Sequence, residues 1–303
     1  SASSAAYLLY QYLFNKFGSC RVYTTSLGFV SPVTAALKNL HEVVYVDVDE
    51  NLLMSSKDLE SRFIEDEKKS IVMPVLYGGI SRISGFNSFC KSKKALLVLD
   101  SAHCISPTME YDFAFYSFHP VKPICMSSGG LLSTDDQQAA EFMFRGRNFG
   151  RLEVNDTYDL GQIGFNFYMN NLNASLGLVQ LKKCNANVEK RKENFNFLRD
   201  RLPGKLGQLT AHDENSSFYL SSLILKKNFN SGNMREYLRD RDIQSSFHYP
   251  FLHTSSYYKV ATTLGRLESY ENRIINLPIH QNLSNEDLKK IANECIRYSR
   301  SGG

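Results

Sequence analysis

The chain contains no tryptophan among its 303 residues, so any aromatic stacking on a ligand must use phenylalanine or tyrosine. Its six cysteines form no CxxC pair and show no His/Cys spacing of the kind that binds zinc. We therefore expect no metal site and no disulfide scaffold. Reduced thiols are typical of the cytoplasm, and we predict that location for the protein.

Long apolar runs are also missing, since no stretch approaches the roughly 18 residues of a membrane-spanning helix. The sequence does not open with the basic start and apolar core of a signal peptide. Its net charge of +4 comes from scattered basic clusters instead of one stripe, which argues against nucleic-acid binding. No GxGxxG motif follows any predicted strand, so a dinucleotide-binding oxidoreductase is disfavoured. These absences indicate a globular protein that binds neither membranes nor nucleic acid.

The composition, with 43% hydrophobic and 22% charged residues, is sufficient for a large core. Up to Cys184, short strands rich in Val, Leu and Tyr alternate with helical stretches, which predicts a mainly parallel, helix-covered sheet. The predicted strands are residues 43–48, 71–76, 95–99, 113–118 and 131–134. The predicted fold class is therefore α/β, with residues 1–184 as a large domain.

Residues 185–303 are predicted to form a linking helix and a small C-terminal α/β domain. Apolar positions recur at helical spacing over 172–202, which indicates the linking helix. Alternating residues predict strands over 218–225 and 243–249. The run that starts at Ser284, with sequence SNED, matches a capping box and predicts the start of the final helix.

Asp100 and Lys122 form the most informative pair in the sequence. An apolar strand ends at the carboxylate of Asp100, and a second strand leads through a serine and a histidine to Lys122. Such residues can hold pyridoxal phosphate (PLP): the lysine forms a Schiff base with the aldehyde, the carboxylate keeps the pyridine protonated, and hydroxyls hold the phosphate. Taken alone, the lysine is more often a solvated loop residue and the aspartate a turn former or helix cap.

The residues around Lys122 favour the PLP interpretation. The run SFHPVKPI, followed by Gly129-Gly130 and LLST, resembles the lysine segment of the nucleotide-sugar aminotransferases, a PLP family of fold type I. The resemblance continues in order along most of the chain, including LVLDSAH, GFNFYMNNLNASLGLVQLKK and FHYPFLH. It implies ping-pong transfer of an amino group, in most of the family from glutamate, to a nucleotide-linked keto-sugar. A 4-keto-6-deoxyhexose is the expected acceptor, because SFHPVKPI looks most like the 4-aminating members.

The resemblance also implies which residues contact the phosphate of PLP. Ser3 and Ser4 lie where the chain opens into a helical run, so their hydroxyls and the free N–H groups of the helix can bind an anion. Ser4 matches the family's threonine position, and an ordinary serine N-cap is the alternative. Ser117, five residues before the lysine, matches a second phosphate ligand. Asn166 matches an asparagine that reaches the phosphate from the other subunit, which predicts a homodimer with shared active sites.

Other matched positions concern the ring of PLP and the substrate. Phe29 matches an aromatic residue that stacks on the ring, although a core phenylalanine fits the local pattern equally well. His103 matches a residue that packs on the ring or hydrogen-bonds near its 3′-oxygen, with a buried structural histidine as the alternative. The predicted substrate contacts are His119, Tyr77, His248 and His253.

The sequence departs from the family pattern at several places. Family members usually carry a further segment ahead of the phosphate-binding serines, whereas this sequence starts at them, and we expect either a short form or a sequence that lacks that segment. Leu99 stands where an acid usually precedes the aspartate, Ser127-Ser128 replaces a Gly-Glu pair, and Leu76 replaces a histidine. None of these changes removes a group that anchors the cofactor.

Two rival functions stay open at this point. Some relatives are sugar dehydratases that carry a histidine at the Schiff-base position, and Lys122 argues against that class. The second rival is an inactive binding or scaffold subunit, which the short N-terminus and Ser127-Ser128 support. For an active enzyme we expect the pKa of Asp100 to be lowered, because its carboxylate pairs with the protonated pyridine.

Overall fold

A computed structural model describes residues 1–154 and 157–301, and its largest feature is a six-stranded sheet. The strands are β1 (Arg21–Thr25), β2 (Glu42–Val46), β3 (Ser70–Met73), β4 (Leu96–Asp100), β5 (Phe113–Ser117) and β6 (Gly130–Thr134). Their order is β2-β1-β3-β4-β5-β6, and every neighbouring pair is parallel except β5 and β6. The predicted α/β fold with a mainly parallel sheet is confirmed.

Helices pack against this sheet. They are α1 (Ala2–Phe17), α2 (Val30–Lys38), α3 (Ser56–Arg62), α4 (Phe86–Ser92) and α5 (Gln137–Gly146). The central strands β1 and β3 are buried at every position, so both faces of the sheet are covered. Strands covered on both faces favour apolar or uncharged side chains, and β1 and β3 are mostly Val, Ile, Tyr and Thr. The exception is the buried Arg21 at the start of β1, whose guanidinium pairs with Asp66 at 3.0 Å and with Glu42 at 3.3 Å.

The carboxyl ends of the parallel strands meet at one edge of the sheet. β4 ends at Asp100, and β5 ends at Ser117, which pairs in register with Gly130 at the start of β6. The first turn of α1 lies against the same corner, because a Cβ atom on Gly130 would come within 2.2 Å of the carbonyl carbon of Ser1. Glycine at this position therefore lets the helix start approach the strand.

A hairpin and a long helix follow the sheet. The strands β7 (Arg151–Val154) and β8 (Thr157–Leu160) pair antiparallel, and α6 spans Asn171–Arg199. The helix predicted over 172–202 is present. The predicted domain boundary after Cys184 falls inside this unbroken helix, and residues 302–303 of the predicted second domain lie outside the described residues. The division of the chain at this point stays a prediction.

After α6 the chain builds a second core around a three-stranded antiparallel sheet. The elements after α6 are β9 (Gly207–Leu209), β10 (Ser221–Leu225), α7 (Ser231–Arg239), α8 (Gly265–Glu268), β11 (Ile274–Leu277) and α9 (Asn285–Ser301). All but α8 contribute to the second core, whereas Leu267 of α8 packs in the core of the large sheet. The capping box predicted before α9 is present. The hydroxyl of Ser284 accepts from the N–H of Asp287 at 3.1 Å, and the Asp287 carboxylate accepts from the N–H of Ser284 at 2.9 Å.

The strand predicted over 243–249 is wrong. Within that segment only Ser246 makes a β-bridge, to Asn276. The Nδ1 atom of His248 then hydrogen-bonds the side chains of both residues, at 3.1 and 3.2 Å. Side-chain bonding replaces a strand ladder here, and the chain continues toward the edge of the large sheet.

The strand predicted over 218–225 starts later than expected, at Ser221. The N–H groups of Tyr219 and Leu220 donate to the carbonyl oxygen of Gly78, at 2.9 and 3.0 Å, in the loop after β3. Those N–H groups are therefore not available to a strand partner. The same contact fixes the second core against the large sheet, at the edge where its strands end.

Candidate active site

A cavity of about 310 Å³ lies at the carboxyl edge of the large sheet. It is lined by the start of α1, the ends of β4 and β5, the loop before β6 and two loops of the C-terminal part. The predicted site residues that line it are Ser3, Phe29, Asp100, Ser117, His119, Lys122 and His248. Open α/β sheets bind ligands at this edge, and the strand order brings these distant residues together there.

Asp100 is 2% exposed at the end of β4. Its Oδ1 atom accepts a hydrogen bond from the N–H of Ala102 at 3.0 Å. Burial raises the pKa of Asp100 to about 6, although this hydrogen bond and the positive charge of Lys122 act in the opposite direction. In the chain alone desolvation outweighs both effects, so the lowered pKa expected for Asp100 beside a protonated pyridine stays a prediction. A cation placed directly beside the carboxylate would lower the pKa.

Lys122 follows β5 on a turn in which its N–H donates to the carbonyl oxygen of His119 at 2.8 Å. Its Nζ atom lies 4.2 Å from the centroid of the Tyr219 ring. Burial lowers the pKa of Lys122 to about 8, although the negative charge of Asp100 raises it. A substantial fraction of such an amine is neutral near physiological pH, as attack on an aldehyde requires.

The start of α1 forms one end of the cavity. Ser1 caps the helix, since its hydroxyl accepts from the N–H of Ser4 at 3.1 Å, and Ser3 lines the cavity. Ser4 does not line it, because each helical residue is rotated by about 100° from the one before. The Ser4 hydroxyl instead pairs with that of Ser1 at 2.9 Å and faces a separate groove beside β6. The geometry therefore favours Ser3 over Ser4 as an anion ligand.

His103 is buried and does not line the cavity. Its Nδ1 atom accepts from the N–H of Gly78 at 3.3 Å, so Nε2 carries the proton and bonds the hydroxyl of Tyr249 at 3.0 Å. Burial lowers the pKa of His103 well below its usual value, and the positive charge of Lys122 adds to the effect. His103 therefore reaches the cavity through Tyr249, which favours the structural alternative for this histidine.

Tyr77 and His253 do not line the cavity, so the predicted substrate contacts at these two residues lack support. The Tyr77 hydroxyl donates to the carbonyl oxygen of His248. His253 is buried between Ser26, whose hydroxyl lies 2.7 Å from Nδ1, and Glu268, whose carboxylate lies 3.2 Å from Nε2. Both side chains lie one layer behind the cavity and hold its loops.

His248 and His119 line the cavity as predicted. Burial lowers the pKa of His248 to about 4, and the positive charge of Lys122 adds to this shift. His248 is therefore a neutral hydrogen-bonding group at physiological pH. Phe29 precedes α2 at the rim, where it is 51% exposed and its ring contacts Tyr249 edge-on, with centroids 5.6 Å apart.

Asn166 is exposed and does not line the cavity of its own chain. Its backbone makes a β-bridge to Asn148 in the segment between β8 and α6. One chain does not test whether this side chain reaches a second subunit. The predicted role of Asn166 therefore stays a prediction.

Sequence reasoning missed Tyr219, whose ring lies next to the amine of Lys122. The available signal was the pair Gly78-Gly79 after β3. Gly79 has a φ of +95°, and a Cβ atom there would lie 2.9 Å from the carbonyl oxygen of His103 and 3.0 Å from the nitrogen of Tyr219. Adjacent glycines at a strand end indicate that another segment approaches closely, here the loop that carries Tyr219.

The donor set in the cavity fits PLP. A lysine amine can bond an aldehyde, a buried carboxylate can pair with a pyridinium, and serine hydroxyls beside a helix N-terminus can hold a phosphate. Across residues 1–154 and 157–301, no group of three or more His, Cys, Asp or Glu side chains is placed to hold a metal ion. No helix in these ranges has the length and apolarity to cross a membrane.

The mainly parallel sheet and its edge cavity are those of a PLP-dependent aminotransferase of fold type I. The sequence profile of the DegT/DnrJ/EryC1/StrS aminotransferase family matches residues 1–296. The chain belongs to that family.

Three curated relatives have sugar-nucleotide names. The chain is 28% identical over 321 aligned positions to the UDP-4-amino-4,6-dideoxy-N-acetyl-beta-L-altrosamine transaminase of Helicobacter pylori, covering 99% of this chain and 84% of that protein. It is 26% identical over 292 positions to the dTDP-4-dehydro-2,3,6-trideoxy-D-glucose 4-aminotransferase of Saccharopolyspora spinosa, covering 89% and 75%. It is 26% identical over 272 positions to the GDP-perosamine synthase of Vibrio cholerae, covering 84% and 72%.

A solved structure of a relative has the same architecture. Helicobacter pylori PseC, described as an aminotransferase involved in the biosynthesis of pseudoaminic acid, superposes with a TM-score of 0.91 at 25% identity. The superposition covers 99% of this chain and 85% of that one.

Proposed function

We propose that the protein transfers an amino group from glutamate to a nucleotide-linked keto-sugar, with PLP bound at Lys122. The observation that carries this proposal is that Lys122, Asp100 and the start of α1 open into one cavity. An amine, a buried carboxylate and an anion-binding helix start are the three anchors that PLP needs. The amino acceptor that we favour is a 4-keto-6-deoxyhexose.

The names of the relatives support a sugar acceptor. One relative is a 4-aminotransferase of a dTDP-linked 4-dehydro sugar, one is a transaminase of a UDP-linked amino sugar, and one is a synthase of GDP-perosamine. Their nucleotides differ. We therefore propose a nucleoside-diphosphate sugar as the substrate class and assign no particular base.

Each anchor has its own role in holding PLP. Lys122 would bond the aldehyde, Asp100 would pair with the pyridine nitrogen, and Ser3 and Ser117 would hold the phosphate together with the N–H groups of α1. Phe29 at the rim would cover one face of the ring. When bound, PLP supplies an electron sink for the substrate carbon that loses a proton.

Lys122 is suited to carry that proton. With a pKa of about 8, its free amine exists in both protonation states near neutral pH. It can therefore take a proton from the substrate α-carbon and would return it to the former aldehyde carbon of the cofactor. Burial favours the neutral amine and Asp100 favours the charged one, and the balance keeps the pKa in the range where general acid and base catalysis is effective.

Asp100 supplies a fixed negative charge. A pKa of about 6 leaves its carboxylate ionised at neutral pH. Its charge acts strongly because the surroundings are buried and have a low effective dielectric constant. A protonated pyridine nitrogen would be stabilised at this position, and that proton is what makes the ring an effective electron sink.

The substrate side of the cavity is neutral and polar. His248 is neutral at physiological pH because of its pKa of about 4, and the hydroxyl of Tyr249 is held by His103. His119 also lines the cavity. Neutral donors and acceptors suit the carbonyl and hydroxyl groups of a keto-sugar, which carry no charge.

We also propose a cytoplasmic homodimer in which Asn166 of each subunit reaches the phosphate site of the other. Asn166 is exposed, and the helix that follows it presents exposed apolar side chains at Leu172, Leu178 and Leu181. Neighbouring exposed apolar side chains mark protein contacts. The six free cysteines support a reducing compartment.

Incubation of the purified full chain with PLP, glutamate and a panel of nucleotide 4-keto- and 3-keto-sugars tests this function. We expect release of 2-oxoglutarate together with a product mass that corresponds to replacement of the keto group by an amine. Lys122→Ala is the inactive variant, and Lys205→Ala, at an exposed lysine outside the cavity, is its matched control. Turnover of oxaloacetate-type acids with aspartate, and of no sugar nucleotide, would contradict the proposal.

A further inference from the structure

Tyr219 lies against the lysine of the cavity. Its side chain is buried, with 7% of the residue exposed, and the Nζ atom of Lys122 lies 4.2 Å from its ring centroid. The ring of His103 packs on the tyrosine as well, with centroids 4.4 Å apart and planes tilted by 48°. An ammonium group near an aromatic face is attracted to the negative charge of that face, more strongly where water is excluded.

The backbone of Tyr219 is fixed from two sides. Its N–H donates to the carbonyl oxygen of Gly78 at 2.9 Å, and its carbonyl oxygen accepts from the guanidinium of Arg191 at 3.5 Å. Arg191 comes from α6, is 7% exposed, and donates from Nε to the side-chain oxygen of Gln281 at 3.0 Å. A buried cation of the linking helix therefore holds the loop that carries the tyrosine.

We infer that Tyr219 is the positioning residue for Lys122, and that its ring face holds the lysine amine at one wall of the cavity whenever the amine is not bonded to PLP. Arg191 acts one contact further out, because it fixes the Tyr219 backbone. The inference rests on the proposed role of Lys122 in binding PLP. It gives the C-terminal part of the chain a direct contact with the reacting lysine.

This contact suits a lysine that must act repeatedly. A lysine side chain is long and flexible, and an amine without a fixed position would spend little time near the substrate carbon. A carboxylate could hold the amine, but it would also keep the amine protonated. An aromatic face restricts the amine more weakly and leaves its protons and lone pair free for transfer.

The charged and titratable groups around the amine come from several elements. They are Asp100, His103, His119, His248, Tyr249 and, behind Tyr219, Arg191. Asp100 favours the charged amine through its negative charge, and the ring of Tyr219 favours it through its face. Removal of the ring face should therefore lower the pKa of Lys122 further. Burial disfavours the charged amine, and without the ring only Asp100 would offset that effect.

Competitive acetylation of the full chain across a pH series, followed by mass spectrometry of the Lys122 peptide, measures the midpoint of the Lys122 titration. Bound PLP is removed first with hydroxylamine, so the result does not depend on which lysine binds it. We expect Tyr219→Leu to lower the Lys122 midpoint by about one pH unit. Tyr219→Phe keeps the ring face and should retain the parent midpoint. The peptide of the exposed Lys205 is the internal reference.

A second measurement uses the PLP-loaded enzyme with a sugar nucleotide that it accepts. Tyr219→Leu should reduce kcat by about tenfold and leave KM nearly unchanged, because amine position affects a step after binding. Circular dichroism checks that each variant is folded, and Tyr219→Met replaces Tyr219→Leu if the leucine variant does not fold.

An unchanged Lys122 midpoint in the folded aliphatic variant would overturn the inference, even with reduced activity, since a merely structural tyrosine would leave that midpoint in place. An equal shift in Tyr219→Phe would overturn it as well. Failure of the proposed function is a separate result. In that case borohydride would trap no PLP on Lys122, whereas the midpoint would still shift in Tyr219→Leu.

Discussion

Two walls of the same cavity are built by different means. The strand-end wall carries Asp100, Ser117 and Lys122, which β4, β5 and the following turn place by sheet register. The loop wall carries Tyr219 and His248, which hydrogen bonds between the two cores hold in place. The first wall supplies charge and a nucleophile, whereas the second supplies neutral contacts. If the proposed roles hold, side chains that sheet register places would carry the chemistry, while docked loops would position the lysine and select the substrate.

Removal of the lysine from the strand-end wall should have the largest effect on activity. We expect Lys122→Ala to lose turnover and the visible absorption of bound PLP, with the fold intact, because Lys122 is the one lysine among the described residues that line the cavity. Absorption spectra and circular dichroism measure both properties. PLP that borohydride still traps in this variant would show that another lysine binds it.

Removal of a polar group should reduce activity more in the strand-end wall than in the loop wall. Asp100→Asn keeps the shape and removes the carboxylate, and we expect kcat to fall by at least about 10²-fold, with a smaller loss of PLP affinity. His248→Gln, the matched change in the loop wall, should cost less than about tenfold because His248 is already neutral. Steady-state kinetics and PLP titration compare them, and equal losses would remove the distinction between the walls.

In the proposed homodimer, Asn166 of the second subunit would form a third wall of the cavity. An inactive Lys122→Ala protein mixed with an inactive Asn166→Ala protein should regain activity, because the heterodimer contains one intact site. Light scattering of the parent protein should show a dimer. A fully active monomer would contradict the role of Asn166.

The close approach of the two walls can be tested at a glycine. Gly79→Ala would place a Cβ atom 2.9 Å from the carbonyl oxygen of His103, whereas Gly85→Ala, also at a positive φ, meets nothing within 4 Å. Both variants should lose about 1–2 kcal/mol of stability from the left-handed backbone. Gly79→Ala should lose about 1–3 kcal/mol more and also reduce activity. Urea unfolding and steady-state kinetics measure both variants. Equal losses of stability and activity in Gly79→Ala and Gly85→Ala would mean that the site does not depend on the close approach of the two walls at Gly79.

The last comparison concerns the stability of the chain without PLP. The pKa of Asp100 is raised by burial from 3.8 to about 6, so its ionised form destabilises the folded chain at neutral pH. Asp100→Asn without PLP should therefore be more stable than the parent by roughly 2–3 kcal/mol above pH 6. This gain in stability should shrink as the pH falls from about 6 toward 4, and it should disappear below about pH 4. Denaturant unfolding across pH measures it, and a gain that does not depend on pH would assign it to another cause.

The strand-end wall could be predicted because strand ends and the spacing to a lysine are local properties of the sequence. Ser3 lines the cavity and Ser4 does not, since one residue along a helix changes the direction of the side chain by about 100°. Tyr77 and His253 lie one layer behind the cavity, and Tyr219 was missed. The positions of Tyr77, His253 and Tyr219 depend on how loops pack, which is decided by contacts between segments far apart in the chain.

The hydrogen bond between Ser26 and His253 joins residues that are 227 positions apart. Ser26 lies in the loop that leads to Phe29, so the rim of the cavity is completed only after the segment around His253 has been synthesised and docked. Contacts of such sequence separation form late in folding, because the entropy of closing a long loop must be overcome first. Nascent chains therefore lack a finished rim until the segment around His253 has been synthesised and docked, and tight capture of PLP would follow folding instead of guiding it.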